Sequence, residues 1–402
     1  MNIGALLKYY RLKANKTQNE VSQGICSVSH YSKIEKNSKE VNKETLDLIF
    51  NRLGIQMVDI ESKKDNIASL LERLLNEIIY RQKEEAANTF LELEEYVDLI
   101  TFTEYLYTYE LYKFRYYLFI REFEQAKQQK NFLTKHQKNF NQFELNLYYS
   151  FLITYHANLE NFDLAEEIIS KIIVNGKSIV NLGGDEYYAI GYVKSKTNIV
   201  EGIIYYRKAL TIFSNEYNQK RVLHCLIVLG NLYTKLKVFD EARNLYLHAL
   251  RLAKEMKLDE TILKIGANLS LVYIQNREFE KARKQLEKYS EKFDLHKEEH
   301  YVYLFTLGFI YSQLNNKDIA KKYFYKVKKN IPHSSKYKAY RMFANLYLLL
   351  ISEKDDELMT YYEDKIIPIL STIDVIYMEI IKNQIKDVYI KNGQYKKAVL
   401  LF

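Results

Sequence analysis

Residue types that carry out catalysis occur in this sequence, but their spacing does not favour catalysis. Three glutamate pairs, at 84–85, 94–95 and 298–299, lie inside charged helical runs, so solvated helix faces explain them better than acid–base chemistry. The stretch from Asn181 to Asp185, NLGGD, lacks the preceding strand and the lysine of a phosphate-binding loop. No motif of a zinc protease or a serine hydrolase occurs. We therefore expect no enzyme activity, no catalytic residue and no cofactor.

The two cysteines and the histidines likewise give little support to a metal site. Cys26 and Cys225 are too few for a disulfide framework or an all-cysteine metal site, and burial as small apolar residues explains both. His30 has no second histidine or carboxylate at ligand spacing. We therefore expect no bound metal.

Hydrogen bonding to a peptide is the chemistry that the C-terminal part of the sequence favours. Asparagine amides both donate to and accept from a peptide backbone without reading its side chains. Solvation would explain any one of the polar residues listed below, but their alignment along the groove of a helical array favours peptide binding. We expect Lys194, Lys235 or Lys264 to hold an acidic group or the C-terminal carboxylate of a peptide. The candidate peptide-binding residues are Asn158, Lys194, His224, Asn231, Thr234, Lys235, Lys264, Gln275, Gln313 and Asn345.

An array of repeated helix pairs would align these side chains. Leu229-Gly230, Tyr233, Ala242 and Tyr246 stand at the offsets of a tetratricopeptide repeat, and the frame recurs from Leu269 and from Leu307. About nine repeats of about 39 residues are predicted over residues 68–402, stacked into a right-handed superhelix with a concave groove. The small residue of the second helix is predicted at Ala87, Ala126, Ala165, Gly202, Ala242, Ala282, Ala320 and Ala398.

The composition agrees with an all-α chain. Only 2 prolines and 12 glycines occur in 402 residues, whereas sheet-containing folds need turn residues far more often. No stretch approaches the roughly 18 uninterrupted apolar residues of a membrane span. We expect a cytoplasmic protein with no membrane partner.

The first 56 residues predict a separate domain of four short helices. Thr17 and Glu20 form a capping box, Ser27 and Asn42 are good N-caps, and Gly24 separates helices at 17–24 and 28–36. Residues 1–64 hold 11 basic against 7 acidic residues, half of the net charge of +8, which indicates a nucleic-acid partner. The polar residues 57–67 are interpreted as a linker.

The string TQNEVSQGICSVSHYSKIEKN, residues 17–37, resembles the helix-turn-helix of the lambda, Cro and 434 repressor class. The resemblance implies that Gln18 binds a phosphate, while Val28, Ser29 and Lys33 face base edges, with Lys33 reading a guanine. It also implies that Ser27, Lys36 and Asn37 hold the DNA backbone, and that Arg11 and Glu35 form a structural ion pair. His30 faces either DNA or solvent.

The order of the two domains resembles that of the peptide-pheromone receptors of Gram-positive bacteria, the Rap, Rgg, NprR, PlcR and PrgX group. This resemblance implies a quorum-sensing transcriptional regulator, a cytoplasmic homodimer on a palindromic double-stranded operator, gated by a short imported signalling peptide. The final repeat stops at AVLLF without a polar cap, so we expect dimerisation through the C-terminal repeats. Two alternatives stay open: an interaction module acting on a phosphorelay or response-regulator protein, and a phage or mobile-element receptor controlling lysogeny or transfer.

Overall fold

The chain folds into α-helices joined by short turns. The computed structural model describes residues 3–38, 41–174, 177–178, 182–294, 296–298, 300–332, 337–372 and 375–401. The chain divides into two compact units, residues 1–222 (unit 1) and residues 223–402 (unit 2). The two units are described separately.

Four short helices begin unit 1, and the predicted capping side chains hold them. Glu20 accepts a hydrogen bond from the Thr17 backbone N–H at 2.6 Å, and the Thr17 hydroxyl accepts one from the Glu20 N–H at 3.2 Å. Ser27 and Asn42 cap the third and fourth helices in the same way. Since these caps satisfy otherwise orphan N–H groups, they determine where the second, third and fourth helices begin. The helices are α1 (Ile3–Lys13), α2 (Gln18–Ser22), α3 (Val28–Glu35) and α4 (Lys43–Arg52).

A close approach between α1 and the end of α3 sets the shape of this domain. A Cβ on Gly4 would lie 2.3 Å from the Ile34 carbonyl oxygen, so only glycine fits there. The Gly4 N–H donates to the Asn37 side-chain oxygen at 2.9 Å. Asn37 itself has a left-handed φ of 53°, which ends the helix.

Residues 57–67, interpreted from their polarity as a linker, are helical. They form the first half of a helix that begins at Met57, directly after the four short N-terminal helices. Ile60 and Ile67 are buried and continue into an apolar stripe through Leu74 and Ile78, so the polar run is the solvated face of a packed helix. One hydrophobic cluster extends from Leu6 to Val193. Unit 1 is continuous across residues 57–67, so the limits of the two predicted domains, 1–56 and 68–402, rest on their expected functions and remain a prediction.

The remaining helices of unit 1 follow in antiparallel pairs, with one extra short helix between the first and second pairs. A two-residue antiparallel pairing joins Ile173–Val174 to Lys177–Ser178. The helices are α5 (Met57–Ile79), α6 (Lys83–Glu94), α7 (Val97–Ile100), α8 (Leu106–Ile120), α9 (Phe123–His136), α10 (Gln142–Asn158), α11 (Phe162–Ile172), α12 (Gly184–Thr197) and α13 (Ile199–Asn215).

Helix α14 (Gln219–Lys235) contains the boundary between the two units. Unit 2 continues with helix pairs whose apolar faces form one cluster, from Ala267 to Ala398. A π-helical turn, Tyr362–Ile366, follows one of its short helices. The helices are α15 (Phe239–Glu255), α16 (Asp259–Gln275), α17 (Phe279–Glu287), α18 (His300–Gln313), α19 (Lys317–Asn330), α20 (Lys338–Ile351), α21 (Asp355–Tyr361), α22 (Val375–Lys391) and α23 (Tyr395–Val399).

Nine helix pairs can be counted in the described ranges, which agrees with the predicted repeat number and confirms the predicted all-α class. The predicted small residue of the second helix is buried in every pair for which it was named, with one shift. In the first pair the position belongs to Ala86, which is fully buried, and not to Ala87. In the eighth pair, for which none was named, Leu358 takes this position.

A left-handed residue marks the turn inside most repeats. In eight of the nine described pairs, a residue with positive φ precedes the buried residue of the second helix by five positions. Only Gly393 among these is a glycine. The exception is the turn between α12 and α13, which is shorter and has Asn198 as an N-cap at φ −141°. The left-handed residues are Arg81, Arg121, Glu160, Lys237, Arg277, Asn315, Glu353 and Gly393.

A buried charge cluster lies within unit 1 around Asp185. Arg115 Nη2 lies 2.8 Å from Asp185 Oδ2, and Arg221 Nη2 contacts Asp185 Oδ1. The side chains of Arg115, Arg221 and Asp185 are 6%, 2% and 10% exposed. Burial lowers the pKa of the neighbouring Arg81 to about 10. The attraction of Asp185 would raise this pKa, but the repulsion of Arg221 and Arg115 opposes that attraction. One carboxylate therefore neutralises three converging guanidinium groups only in part.

Candidate functional site

Helix α3 presents one polar face to solvent. Val28 is 41% exposed, and Ser29, Lys33 and Lys36 are also exposed. The opposite face carries Tyr31 and Ile34, both buried in the core. The predicted base-contacting residues therefore lie together on the accessible side of the second helix of the pair.

A buried network holds α3 against α1 and α2. Arg11 Nε and Nη2 donate to Glu35 Oε1 and Oε2 at 2.6 and 3.2 Å, which confirms the predicted ion pair. Gln18 Nε2 also donates to Glu35 Oε2, at 2.8 Å. Burial alone would raise the pKa of Glu35, but the bonds from Arg11 and Gln18 outweigh it and the pKa lies below its ordinary value.

Three residues predicted to hold the DNA backbone also have structural bonds. The Gln18 amide is bonded to Glu35, the Ser27 hydroxyl accepts the His30 N–H at 3.2 Å, and the Asn37 side chain accepts the Gly4 N–H. His30 is half-buried at the first turn of α3. DNA contacts by these four residues remain a prediction.

In unit 2, the helices α14, α15, α16 and α22 enclose a pocket of about 730 Å³. This size suits part of a short peptide, since ligand pockets fall in the range of about 300–1,000 Å³. Five predicted peptide-binding residues line it: Asn231, Thr234, Lys235, Lys264 and Gln275. The other lining residues, which sequence reasoning missed, are Lys237, Phe239, Tyr246, Asn268, Leu271, Arg277, Glu379, Ile380 and Asn383.

The amides in this pocket are partly committed. The Asn231 side-chain oxygen accepts bonds from the Tyr246 hydroxyl and from Asn268 Nδ2, the latter at 3.1 Å. Thr234 is buried and donates back to the Gly230 carbonyl at 2.7 Å. Gln275 Oε1 is buried and has no hydrogen-bond partner in the part of the chain that the structure describes. A buried acceptor without a donor is costly, so the site suits a ligand that supplies an N–H group.

The charge of the pocket is strongly positive. Lys235, Lys237, Lys264 and Arg277 line it against one described carboxylate, that of Glu379. Lys237 Nζ lies 3.1 Å from Glu379 Oε1. Within the described ranges, Lys235 and Lys264 form no ion pair, so the site attracts an acidic group.

The remaining predicted peptide contacts do not line this pocket. Asn345 accepts from Lys328 Nζ at 2.6 Å and borders a separate shallow depression on α19 to α21. Gln313 donates to the Ser312 hydroxyl at 3.3 Å, and His224 is exposed on α14. Asn158 lies exposed at the end of α10 in unit 1.

Lys194 is poorly suited to the role predicted for it. Its Nζ lies 2.7 Å from Glu166 Oε2 and 3.5 Å from Glu201 Oε2, so two carboxylates already neutralise it. Although its burial acts in the opposite direction, the bond to Glu166 raises the pKa of Lys194.

The short turn at Asn198 displaces the predicted repeat register around Lys194. Gly191 packs against Tyr206 as Gly230 packs against Tyr246, which aligns these two glycines in their repeats. Counted from the glycines, the counterpart of Lys235 is Lys196, whose Nζ lies 4.7 Å from the centre of the Tyr192 ring. Counted back from Gly202 instead, across a turn that is one residue short, the counterpart of Lys235 is Ser195 and that of Thr234 is Lys194, each one position too early.

Across the described ranges, no helix is long and apolar enough to cross a membrane.

Both parts of the chain match known families. A helix-turn-helix model matches residues 7–60, and tetratricopeptide repeat models match residues 222–256 and 301–333. The transcriptional activator NprA of Geobacillus stearothermophilus is 26% identical over 361 residues, which cover 87% of this chain and 88% of NprA. The chain therefore combines a helix-turn-helix with tetratricopeptide repeats, the architecture that the resemblance to the Rap, Rgg, NprR, PlcR and PrgX group implies.

Solved structures of this group share the fold. The apo form of the quorum sensor NprR from B. thuringiensis superposes with a TM-score of 0.66 at 14% identity, covering 84% of this chain and 97% of that chain. NprR in complex with its cognate peptide NprX gives a TM-score of 0.53 at 16% identity, covering 83% and 97%. The predicted resemblance is confirmed, and at these identities the structures establish the fold.

Proposed function

We propose that this chain is a cytoplasmic transcriptional regulator that binds double-stranded DNA through α3 and is gated by a short signalling peptide. The observation that carries the proposal is the unit 2 pocket, where amides lie beside Lys235 and Lys264, two lysines without an ion-pair partner among the described residues. The similar NprR is a quorum sensor with a cognate peptide, and the similar NprA is a transcriptional activator.

The pocket chemistry supports a peptide as the ligand. The Gln275 acceptor suits a backbone N–H, while Lys235 and Lys264 suit a side-chain or terminal carboxylate. Leu271, Phe239 and Ile380 supply apolar surface between the polar groups. A peptide of mixed polar and apolar character, carrying at least one acid, satisfies all of these groups together.

The exposed face of α3 supports the DNA contact. Lys33 and Lys36 point away from the core, and the Arg11–Glu35 network fixes the orientation of the helix. Lysine donates to guanine acceptors in the major groove, and Val28 offers an apolar contact to a thymine methyl group. Serine at position 29 suits either kind of base.

We also propose a homodimer through the C-terminal repeats, which would match a palindromic operator. Apolar side chains support it: Ile390 is 41% exposed, Tyr395 65% and Val399 75%. Sedimentation velocity of the full chain tests this part, and a Tyr395→Glu, Val399→Glu double variant is expected to be monomeric. A wild-type chain that sediments as a monomer at micromolar concentration would contradict it.

Fluorescence anisotropy of the full chain on its own upstream DNA tests the gating. The titration is run over a series of salt concentrations, with and without peptides from adjacent short reading frames. We expect tight, salt-dependent binding that a peptide shifts in either direction. Binding no tighter than to scrambled DNA would reject the regulator and favour an interaction module, which a pull-down against a response-regulator domain then tests.

Two matched variant pairs assign the sites. Lys33→Ala is expected to weaken DNA binding by about 1–3 kcal/mol and to relax the preference for guanine at the contacted position, whereas the exposed Lys63→Ala on α5 should do neither. Lys235→Ala, Lys264→Ala is expected to lose peptide binding, whereas Lys254→Ala, Lys284→Ala, which removes two lysines outside the pocket, should keep it. Equal affinities within either pair would count against the assigned site.

A further inference from the structure

An ion pair joins two of the residues that line the unit 2 pocket. Lys237 Nζ lies 3.1 and 3.4 Å from the two carboxylate oxygens of Glu379. Lys237 is the left-handed residue of the turn between α14 and α15, and Glu379 lies on α22. The pair therefore joins two walls of the pocket that are 142 residues apart in the sequence.

This pair is easily exchanged. The two side chains are 64% and 66% exposed, and exposed ion pairs shift an equilibrium by about fivefold at most. Both partners remain in contact with water, so neither requires the other for its solvation. A carboxylate brought by a ligand can replace that of Glu379 at little cost.

The surrounding charges favour such a replacement. Lys235, Lys264 and Arg277 line the same pocket without an ion-pair partner in the described part of the chain, so a second carboxylate enters a positive field. Glu379 is the one described carboxylate that lines the pocket, and it would repel an arriving acid until it moves. An uncharged ligand has no reason to displace it.

We infer that Glu379 is a specificity-determining residue, which holds Lys237 until a ligand carboxylate takes its place. A ligand with a carboxylate next to Lys237 separates α22 from the turn at Lys237, and a ligand without one leaves the Lys237–Glu379 ion pair intact. The inference rests on the proposed peptide function and adds the chemical class of the group that is recognised. The carboxylate is either the C-terminus of the peptide or an aspartate or glutamate side chain.

Three pools of random heptapeptides test the inference on the immobilised full chain, with retained peptides counted by mass spectrometry. The first pool has free C-termini and no acidic side chains, the second has C-terminal amides and no acids, and the third has amides and one aspartate. The variants are Glu379→Gln and Lys237→Met. The control is Glu255→Gln, at an exposed position on α15 outside the pocket.

We expect the wild-type chain to retain one or both carboxylate pools in preference to the second pool, and the preferred pool identifies the source of the carboxylate. Glu379→Gln should raise retention of the preferred pool by about two- to fivefold and leave the second pool unchanged, because the competing carboxylate is gone. Lys237→Met should lower the preference, and Glu255→Gln should behave as wild type.

Two results overturn the inference in distinguishable ways. If the wild type retains peptides but Glu379→Gln leaves the carboxylate pools unchanged, or raises all three pools alike, the exchange is wrong while the peptide function stands. If no pool is retained above a Lys235→Ala, Lys264→Ala chain, the peptide function fails and the inference fails with it.

Discussion

Replacing Asp185 by asparagine should be among the most damaging isosteric changes in unit 1. The carboxylate contacts Arg115 and Arg221 and lowers the electrostatic cost of keeping Arg81 charged nearby. All three of the paired side chains are nearly buried, so water cannot compensate for the lost charge. Removing one partner of a buried ion pair costs about 3–5 kcal/mol, because an uncompensated charge is left behind.

Urea denaturation followed by far-UV circular dichroism, with hydrogen exchange at the amides of α8 and α12, measures this loss locally. Glu167→Gln is the control: it breaks the exposed pair with Lys171, whose side chains are 58% and 60% exposed, and should cost less than about 0.5 kcal/mol. A loss for Asp185→Asn as small as that of Glu167→Gln would refute the reasoning that the cluster depends on this one carboxylate.

The same carboxylate predicts a dependence on pH. Burial would raise the pKa of Asp185, but Arg221, Arg115 and Arg81 together hold it below its ordinary value. A carboxyl group whose pKa is lower in the folded state stabilises the fold fully above its unfolded pKa of about 3.9. That contribution is lost as the pH falls through the folded pKa, so the difference between wild type and Asp185→Asn should shrink only below about pH 4.

Three further changes have expected outcomes. Arg121→Gly should raise the free energy of unfolding by about 1 kcal/mol, because Arg121 has a φ of 68°; urea denaturation checks this, and a gain no larger than for Arg121→Ala would contradict it. Gly4→Ala should cost about 2 kcal/mol or more, since its Cβ would overlap the Ile34 carbonyl. The comparison in the same assay is Gly54→Ala, where a Cβ meets open space and only the left-handed φ of 71° opposes the change, so it should cost about 1 kcal/mol; a cost equal to that of Gly4→Ala would contradict the overlap. Gln275→Met should raise stability by about 1 kcal/mol by removing an unpartnered acceptor, yet weaken peptide binding several-fold. Thermal unfolding and peptide titration together check this, and a less stable variant would contradict it.

The N-terminal domain could be predicted almost completely, because its signals are local. Thr17, Ser27 and Asn42 each cap a helix by accepting a hydrogen bond from the backbone N–H three residues later, and such bonds do not depend on the rest of the chain. The linker interpretation of residues 57–67 relied on polarity alone and missed that these residues are helical. Ile60 and Ile67 stand at helical spacing inside the polar run, and this spacing of apolar residues indicated a packed helix better than the polarity of the run indicated a linker.

The repeat frame was predicted well where the turns have a constant length and less well where they do not. Ala242, Ala282 and Ala320 are all buried as expected, since their turns share one left-handed residue. The short turn before Gly202 shifted the frame onto Lys194. The pocket was foreseen on α14 and α16 but not on α22, because the contact of Glu379 with Lys237 spans 142 residues and no periodic pattern reports it.

Helix α5 has a mechanical consequence for the proposed regulator. Its 23 residues give a length of about 34 Å at 1.5 Å per residue, and its buried face joins the same core as α1 and α3. The helix proposed to read DNA, α3, is thus attached to a long, stiff helix and not to a flexible linker. Tilting such a helix by about 10° moves its far end by roughly 6 Å, close to two base-pair steps of 3.4 Å. In a two-fold pair, a small rotation of the first repeats would therefore be enough to bring two recognition helices into or out of step with their half-sites.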